Sequence, residues 1–231
     1  MRVATGGRSV FGVDMAAVNR DLFATSGNER VELAAGAVLL RGFALPAEAD
    51  IAAALRAVEA GAPFRHMVTP GGFTMSVAMT NCGALGWVSS ACGYSYSPVD
   101  PDSGRDWPPM PAVFARLAHD AAAAGGFAGF APEACLVNRY DPGARLTLHQ
   151  DKDERDFSQP IVSVSLGVPA TFLFGGLTRK ERPRRVAVEH GDVVVWGGPA
   201  RLRYHGVAPL AESHHPFAGA RRINLTLRRA G

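Results

Sequence analysis

The stretch RVAVEHGDVVVWGG, residues 185–198, is rich in β-branched residues and contains a Gly-Asp pair of the kind found in turns. Short β-branched or alternating runs bounded by Gly, Pro or Asp indicate β-strands. Six further runs of this kind are CLVNRY (135–140), RLTLHQ (145–150), IVSVSLG (161–167), TFLFGG (171–176), RLRYHGV (201–207) and RINLTLR (222–228). Seven such runs within about 95 residues predict an antiparallel sandwich or barrel.

The sequence before these runs contains one strand pattern and two helical patterns. AVLLRGFAL (37–45) indicates a strand. In PAEADIAAALRAVEAG (46–61) apolar residues recur three and four positions apart, and acidic residues occupy the first turn, which is typical of a helix. A second helix is predicted over about 111–124. We therefore predict an α+β fold, in which two N-terminal helices cover one face of a jelly-roll core, a double-stranded β-helix.

The chain is expected to form one domain with an extension. Residues 1–30 alternate Gly, Ser, Asn and charged residues without periodicity, and we expect them to be loosely ordered. Residues 31–231 are predicted to be a single domain, because the sequence contains neither a repeat nor a low-complexity linker.

Composition limits the classes of protein to which the chain can belong. Of the 231 residues, 47% are hydrophobic and 19% are charged, as in a globular protein with a full core. The three cysteines form no CxxC motif, which is typical of a reducing compartment. No signal-peptide pattern and no apolar run of about 18 residues occurs. We expect a cytoplasmic protein without a membrane partner. The net charge of +3 is a weak indication of a polyanionic partner.

The segment LTLHQDKDE (146–154) contains a candidate metal site. His149 and Asp151 are two residues apart at the end of an alternating strand, so their side chains can point to the same side. His205, in a later strand, is the natural third ligand. Two imidazoles and one carboxylate on one face form the facial triad of non-haem Fe(II) oxygenases. The alternative is that His149 caps a turn and His205 is a hydrogen-bonded core histidine.

A second pattern favours an oxo-acid cosubstrate. Alternate positions of the strand RINLTLR are polar, namely Arg222, Asn224, Thr226 and Arg228. A cosubstrate such as 2-oxoglutarate has a distal carboxylate, for which an arginine fork is the best partner. Asn138 and Tyr140 similarly share one face of VNRY and can donate to the same ligand. The alternative is that the polar face of this strand is simply exposed to solvent.

These motifs, in this order, resemble the AlkB family of Fe(II)/2-oxoglutarate-dependent dioxygenases, which repair alkylated nucleic acid. The resemblance covers about residues 33–231. It is carried by MVTPGGFTMSVAMTNCG (67–83), GYSYSPVDP (93–101), VNRYDPGARLTLHQDKDE (137–154), PIVSVSLG (160–167), FGGLTR (174–179), EHGDVVVWGG (189–198), YHGV (204–207) and NLTLRRAG (224–231).

The resemblance implies a role for each matching residue. The implied Fe(II) ligands are His149, Asp151 and His205. The implied 2-oxoglutarate residues are Arg222, for the distal carboxylate, with Asn138, Tyr140, Asn224 and Arg228. The implied substrate residues are Trp87, Tyr94, Tyr96, Asp153 and Arg179. The resemblance also implies a nucleotide-recognition lid over about 67–105 and a catalytic core over about 135–231.

Two positions depart from the family pattern. Phe73 stands where the family pattern suggests a tyrosine, and Ser90 where it suggests a histidine. Both departures concern substrate contacts in the lid rather than the iron or cosubstrate residues.

The implied activity is oxidative demethylation of N-alkylated bases such as 1-methyladenine and 3-methylcytosine, with release of formaldehyde, succinate and CO₂. Asp153 would favour the cationic ring of such a base. The expected substrate is alkylated DNA or RNA, single-stranded or with the base flipped out, and the expected enzyme is a monomer. Two alternatives stay open. One is an oxygenase on the same scaffold that acts on protein, lipid or a small molecule, and the other is a non-catalytic metal-dependent nucleic-acid binder.

Overall fold

The computed structural model describes Met1 and residues 29–231, so almost all of the predicted extension lies outside the described residues. The two α-helices of the described chain are α1 (Glu48–Gly61) and α2 (Ala112–Ala124). Its strands are β1 (Arg30–Ala34), β2 (Ala37–Leu40), β3 (Arg65–Val68), β4 (Thr74–Gly83), β5 (Gly86–Ser90), β6 (Gly93–Ser97), β7 (Ala134–Tyr140), β8 (Leu146–His149), β9 (Ile161–Gly167), β10 (Ala170–Phe174), β11 (Arg184–Val188), β12 (Val193–Trp196), β13 (His205–Val207) and β14 (Arg222–Arg228).

Two antiparallel sheets face each other. The larger has eight strands in the order β1-β2-β12-β9-β14-β7-β4-β3, and the smaller has four in the order β11-β10-β13-β8. Apolar side chains from both sheets pack together between them, including Tyr140 and Trp196 from the larger sheet and Phe172 and Val207 from the smaller. This arrangement confirms the predicted jelly-roll core.

The helices cover the outer face of the larger sheet, as predicted. Ile51 and Val58 of α1 and Phe114 of α2 pack against Val164 and Leu225 of the sheet. The central strand β14 separates two environments, because its alternate residues point to opposite faces. Its apolar residues face the helices, while its polar residues face the space between the sheets.

The stretch at residues 185–198 crosses from one sheet to the other. β11 belongs to the smaller sheet and β12 to the larger one, and Glu189–Asp192 form the corner. The buried Asp192 carboxylate accepts hydrogen bonds from the backbone N–H groups of Glu189 and Gly42, each at 2.9 Å, and pairs with Arg41 at 2.6 Å. Gly191 adopts a positive φ of 86° at this corner. The Gly-Asp pair thus fixes the turn between the layers.

The N-terminal half contains more strand than its sequence pattern predicts. Only β2 was anticipated there, although β1, β3 and β4 also join the larger sheet. The segment 67–105, predicted as a lid, therefore divides into two parts. Val77–Gly83 of β4 is buried in the larger sheet, whereas β5 and β6 pair as a separate hairpin.

Among the described residues, no helix has both the length and the hydrophobicity needed to traverse a lipid bilayer.

Candidate active site

Two histidines face each other across paired strands of the smaller sheet. His149 ends β8, His205 begins β13, and the two are direct partners in the register. Asp151 follows two residues after His149, and its carboxylate oxygens lie 3.6 Å from His149 Nε2 and 3.7 Å from His205 Nε2. One donor atom from each of the three side chains lies within 4.8 Å of the other two. The structure thus brings together the three predicted metal ligands.

Backbone carbonyls fix which imidazole nitrogen faces the metal. His149 Nδ1 lies 2.8 Å from the Thr147 carbonyl oxygen, and His205 Nδ1 lies 3.1 Å from that of Arg203. Since a carbonyl can only accept, each Nδ1 carries the proton and each Nε2 presents a lone pair to the centre of the triad. Burial, reinforced by the nearby His149, lowers the pKa of His205 to about 4, which keeps this imidazole neutral and able to bind a metal ion.

Arg228 keeps the third ligand ionised. Burial alone would raise the pKa of the Asp151 carboxyl, but Arg228 and the two histidines hold that pKa well below its ordinary value. Arg228 donates to Asp151 Oδ2 from Nε at 2.9 Å and from Nη2 at 2.6 Å. Two imidazoles and one carboxylate are the donor set that suits Fe(II) and leaves coordination positions open for other ligands.

Arg222 supplies the unpaired cation that a carboxylate ligand needs. Its side chain is buried, with 2% of the residue exposed, and its Cζ lies 4.9 Å from the centre of the Tyr140 ring. Nη2 donates to Ser165 Oγ at 3.0 Å, but Nε and Nη1 have no hydrogen-bond partner among the described residues. Burial lowers the pKa of this guanidinium. Buried donors without partners are costly, so this arrangement fits the distal carboxylate of 2-oxoglutarate.

The other predicted cosubstrate residues form the floor of the same cavity. Asn138 Nδ2 and Thr226 Oγ1 both donate to Asn224 Oδ1, at 3.2 and 2.9 Å. Asn224 Nδ2 in turn donates to Ser163 Oγ at 2.8 Å. Asn138, Tyr140, Asn224, Thr226 and Arg228 all line a cavity of about 810 Å³ that also contains the metal triad. The polar face of β14 is therefore buried, which excludes the alternative of a solvent-exposed face.

Aromatic residues stand at the entrance to this cavity. The Trp87 and Tyr94 rings stack with centroids 5.0 Å apart, and Trp87 Nε1 donates to Asp153 Oδ2 at 2.8 Å. The exposed side chain of Arg179 also lines the cavity, as does Phe73, which is 76% exposed. The entrance combines an aromatic surface, a carboxylate and a guanidinium.

Tyr96 lies behind this entrance rather than among the residues that line the cavity. Its hydroxyl donates to Glu154 Oε1 at 2.7 Å, and Arg228 Nη1 lies 3.4 Å from the same hydroxyl. Burial, with the neighbouring carboxylates of Glu154 and Asp151, raises the pKa of this phenol despite the opposing effect of Arg228. Ser90 does not line the cavity either, and it caps the β5–β6 turn by accepting from the Cys92 N–H.

Comparison with known proteins agrees with this geometry. The sequence model of the 2OG-Fe(II) oxygenase superfamily matches residues 36–228. The alpha-ketoglutarate-dependent dioxygenase AlkB of Escherichia coli K12 is 56% identical over 211 residues, which cover 91% of this chain and 98% of that protein. The chain belongs to the AlkB family. It is therefore an Fe(II)- and 2-oxoglutarate-dependent dioxygenase, as the sequence predicted.

More distant members of the AlkB family are similar as well. The mouse nucleic acid dioxygenase ALKBH1 is 39% identical over 124 residues, which cover 53% of this chain and 31% of that protein. The solved structure of OsALKBH1 superposes with a TM-score of 0.77 at 30% identity, covering 87% of this chain and all of that one. The fold thus agrees with an AlkB-family structure over most of its length.

Two buried residues next to the AlkB-type triad were missed by the sequence reasoning. Glu154 and Arg201 pair at 3.0 Å, and their side chains are 1% and 3% exposed. Glu154 belongs to the charged run DKDE, which suggests a solvated loop, and no alternation marks Arg201. The H-x-D spacing pointed to this segment, but it gave no signal for the buried ion pair beside it.

Proposed function

We propose that this dioxygenase demethylates N-alkylated bases in nucleic acid, including 1-methyladenine and 3-methylcytosine, and so repairs alkylated DNA by direct reversal. The products would be the unmodified base, formaldehyde, succinate and CO₂. The proposal agrees with the character of the relatives, among them the mouse nucleic acid dioxygenase ALKBH1. It is proposed for a single catalytic domain over residues 31–231, with an extension over 1–30.

The observation that carries the proposal is a carboxylate placed beside stacked aromatic rings at the entrance to the iron cavity. Asp153 is half-buried and is held by Trp87 Nε1. Methylation at N1 of adenine or N3 of cytosine leaves a cationic ring. A partly desolvated carboxylate attracts such a ring more strongly than an exposed one would, and does not attract the neutral base in this way. Trp87 and Tyr94 supply apolar faces for the same planar ring.

Under this proposal the metal ligands, Arg222 and the aromatic rings of the cavity have distinct roles. When bound, Fe(II) with 2-oxoglutarate and O₂ supplies the oxidising power that hydroxylates the N-methyl carbon, after which the base is released with loss of formaldehyde. His149, Asp151 and His205 would hold the metal ion, and Arg222 would bind the distal carboxylate of 2-oxoglutarate through its free N–H groups. The aromatic rings at the entrance would orient the base and exclude water.

The substrate strand must present an unpaired base. The lesion lies on the Watson–Crick edge, so a base in a duplex has to be flipped out, and single-stranded substrates avoid that cost. Stacking of the extruded base on Trp87 would contribute about 1–3 kcal/mol. The exposed run RKERPRR (179–185) begins at the cavity and can contact phosphates, which makes binding weaker at high salt. We further propose that the enzyme acts as a cytoplasmic monomer on DNA or RNA.

The test is mass spectrometry of a panel of oligonucleotides that carry methyl or etheno lesions, as DNA or RNA, single- or double-stranded. Each is incubated with Fe(II), ascorbate, 2-oxoglutarate and O₂. We expect conversion of the 1-methyladenine and 3-methylcytosine strands with equimolar succinate and formaldehyde, and none with Asp151→Ala. Succinate formation that methylated protein or small molecules stimulate, and oligonucleotides do not, would instead favour an oxygenase of another substrate class. Tight binding of the oligonucleotides without any turnover would favour a non-catalytic binder.

A further inference from the structure

Asp151, the third iron ligand, does not lie in a β-strand. His149 and His205 are fixed by the pairing of β8 with β13, whereas Asp151 lies in the irregular segment between β8 and β9. An iron site works only if its ligands are held close to their binding geometry. The position of Asp151 must therefore be set by side chains around it.

Arg201 ties the segment that follows Asp151 to the rest of the protein. From its buried position after β12, it donates Nη1 to the Asp151 carbonyl oxygen at 2.8 Å and Nε to the Gln159 carbonyl oxygen at 3.0 Å. Its Nη2 donates to Glu154 Oε2 at 3.0 Å. One guanidinium thus holds both ends of the segment 151–159 and the carboxylate within it.

Glu154 in turn holds Arg228. Its Oε1 lies 3.3 Å from Arg228 Nε and accepts the Tyr96 hydroxyl at 2.7 Å. The cluster contains two carboxylates, Asp151 and Glu154, and two guanidiniums, Arg201 and Arg228, so its charges balance in a buried setting. Without Glu154, the guanidiniums of Arg201 and Arg228 would have only the Asp151 carboxylate left within this cluster, and one buried positive charge would be uncompensated.

The geometry of Arg228 shows which oxygen of Asp151 this guanidinium leaves uncontacted. Both of its hydrogen bonds to Asp151 go to Oδ2, and the same Nε is shared with Glu154. A guanidinium without other restraints frequently binds both oxygens of one carboxylate through two parallel N–H···O hydrogen bonds. We infer that Glu154, held by Arg201, is a positioning residue that restrains Arg228 on Oδ2 and leaves Oδ1 of Asp151 available to the metal ion. The inference concerns the metal centre and stands whatever the substrate is.

The test measures Mn(II) binding to the complete, metal-free protein by electron paramagnetic resonance, which does not depend on turnover. Glu154→Gln keeps the size of the side chain and removes its charge. We expect the Mn(II) dissociation constant to rise about 10- to 100-fold, the usual effect of losing a residue that supports a metal ligand. Glu133→Gln is the matched control, because Glu133 pairs with Arg229 and with two backbone N–H groups at the C-terminus instead.

Thermal unfolding of the same samples separates positioning from general stability. A role in stability alone would lower the unfolding temperature of Glu154→Gln and leave Mn(II) affinity unchanged, and this result would overturn the inference. Equal losses of affinity in Glu154→Gln and Glu133→Gln would also overturn it. If Glu154→Gln does not fold, Glu154→Asp replaces it, since it keeps the charge and withdraws it from Arg228. A smaller loss of affinity is then expected, and wild-type affinity would contradict the inference.

Discussion

Replacing Arg222 with methionine removes a buried cation that lines the cavity and has two donors without a partner among the described residues. The Nε and Nη1 groups of Arg222 have no partner among the described residues, so both are available to a carboxylate. Each charge-assisted hydrogen bond contributes about 1.5–3 kcal/mol, and two contribute about 3–6 kcal/mol. Since about 1.4 kcal/mol corresponds to a factor of ten, the dissociation constant of 2-oxoglutarate should rise about 10²- to 10⁴-fold. Arg222→Lys keeps the charge without the fork and should lose less.

The assay is calorimetric titration of the Mn(II)-loaded protein with 2-oxoglutarate and, separately, with 2-oxobutanoate, which lacks the distal carboxylate. Wild-type protein should bind 2-oxoglutarate far more tightly than 2-oxobutanoate, whereas Arg222→Met should bind the two with similar affinity. An equal loss of affinity for both ligands would refute the assignment of Arg222 to the distal carboxylate, because 2-oxobutanoate offers that residue nothing to bind.

Stability provides an independent check on the same substitution. In the ligand-free protein the two unpaired donors of Arg222 are a cost, so methionine of similar volume should leave the free energy of unfolding unchanged or increase it. Only the additional stabilisation by 2-oxoglutarate should disappear. A large destabilisation of ligand-free Arg222→Met would contradict this reasoning.

Three further predictions concern separate parts of the protein. Asp151→Ala should abolish turnover but retain a cooperative thermal transition, because the fold rests on the two sheets rather than on a metal; a lost transition in circular dichroism would be inconsistent with that. Asp153→Asn should lower kcat/KM for cationic 1-methyladenine about 10-fold or more, and should affect a neutral lesion such as ethenoadenine less. Competition assays between the two lesions measure this difference, and equal losses for both would argue against a charge effect. His190 accepts the Gly167 N–H on Nδ1, and burial together with His215 lowers its pKa, although Glu48 and Asp192 act in the opposite direction. Since the unfolded state takes up a proton near pH 6.5 and the folded state only at a lower pH, acidification below pH 6.5 should reduce the free energy of unfolding. His190→Gln should show a flatter pH dependence in urea titrations, and an unchanged slope would exclude this histidine as the cause.

The C-terminal half of the fold could be predicted because its strands are short, regular and bounded by turn residues. β4 could not, since TMSVAMTNCG (74–83) mixes small, polar and sulfur-containing residues. Its burial depends on partners distant in the sequence. Thr80 Oγ1 donates to the Ala62 carbonyl at 2.7 Å, and Asn81 exchanges two hydrogen bonds with the Trp87 backbone. A single sequence does not reveal such pairings.

The metal ligands could be predicted for a geometric reason, whereas the residues that position them, Glu154 and Arg201, could not. A spacing of two along a strand fixes a common side, so His149 and Asp151 could be placed together from the sequence. The alternation of β14 likewise indicated Arg222. The ion pair of Glu154 with Arg201 joins residues 47 positions apart in segments without regular structure, and neither position carries a periodic signal.

The pairing of His149 with His205 across β8 and β13 has a consequence for which ions occupy the centre. Strand register sets the separation of the imidazoles before any ion arrives, so the pocket presents much the same ligands to every divalent ion of suitable size. Nitrogen and oxygen donors bind nickel and copper more strongly than ferrous iron. Occupancy by iron must therefore follow from the supply of ions around the protein, and traces of the later transition metals should act as inhibitors.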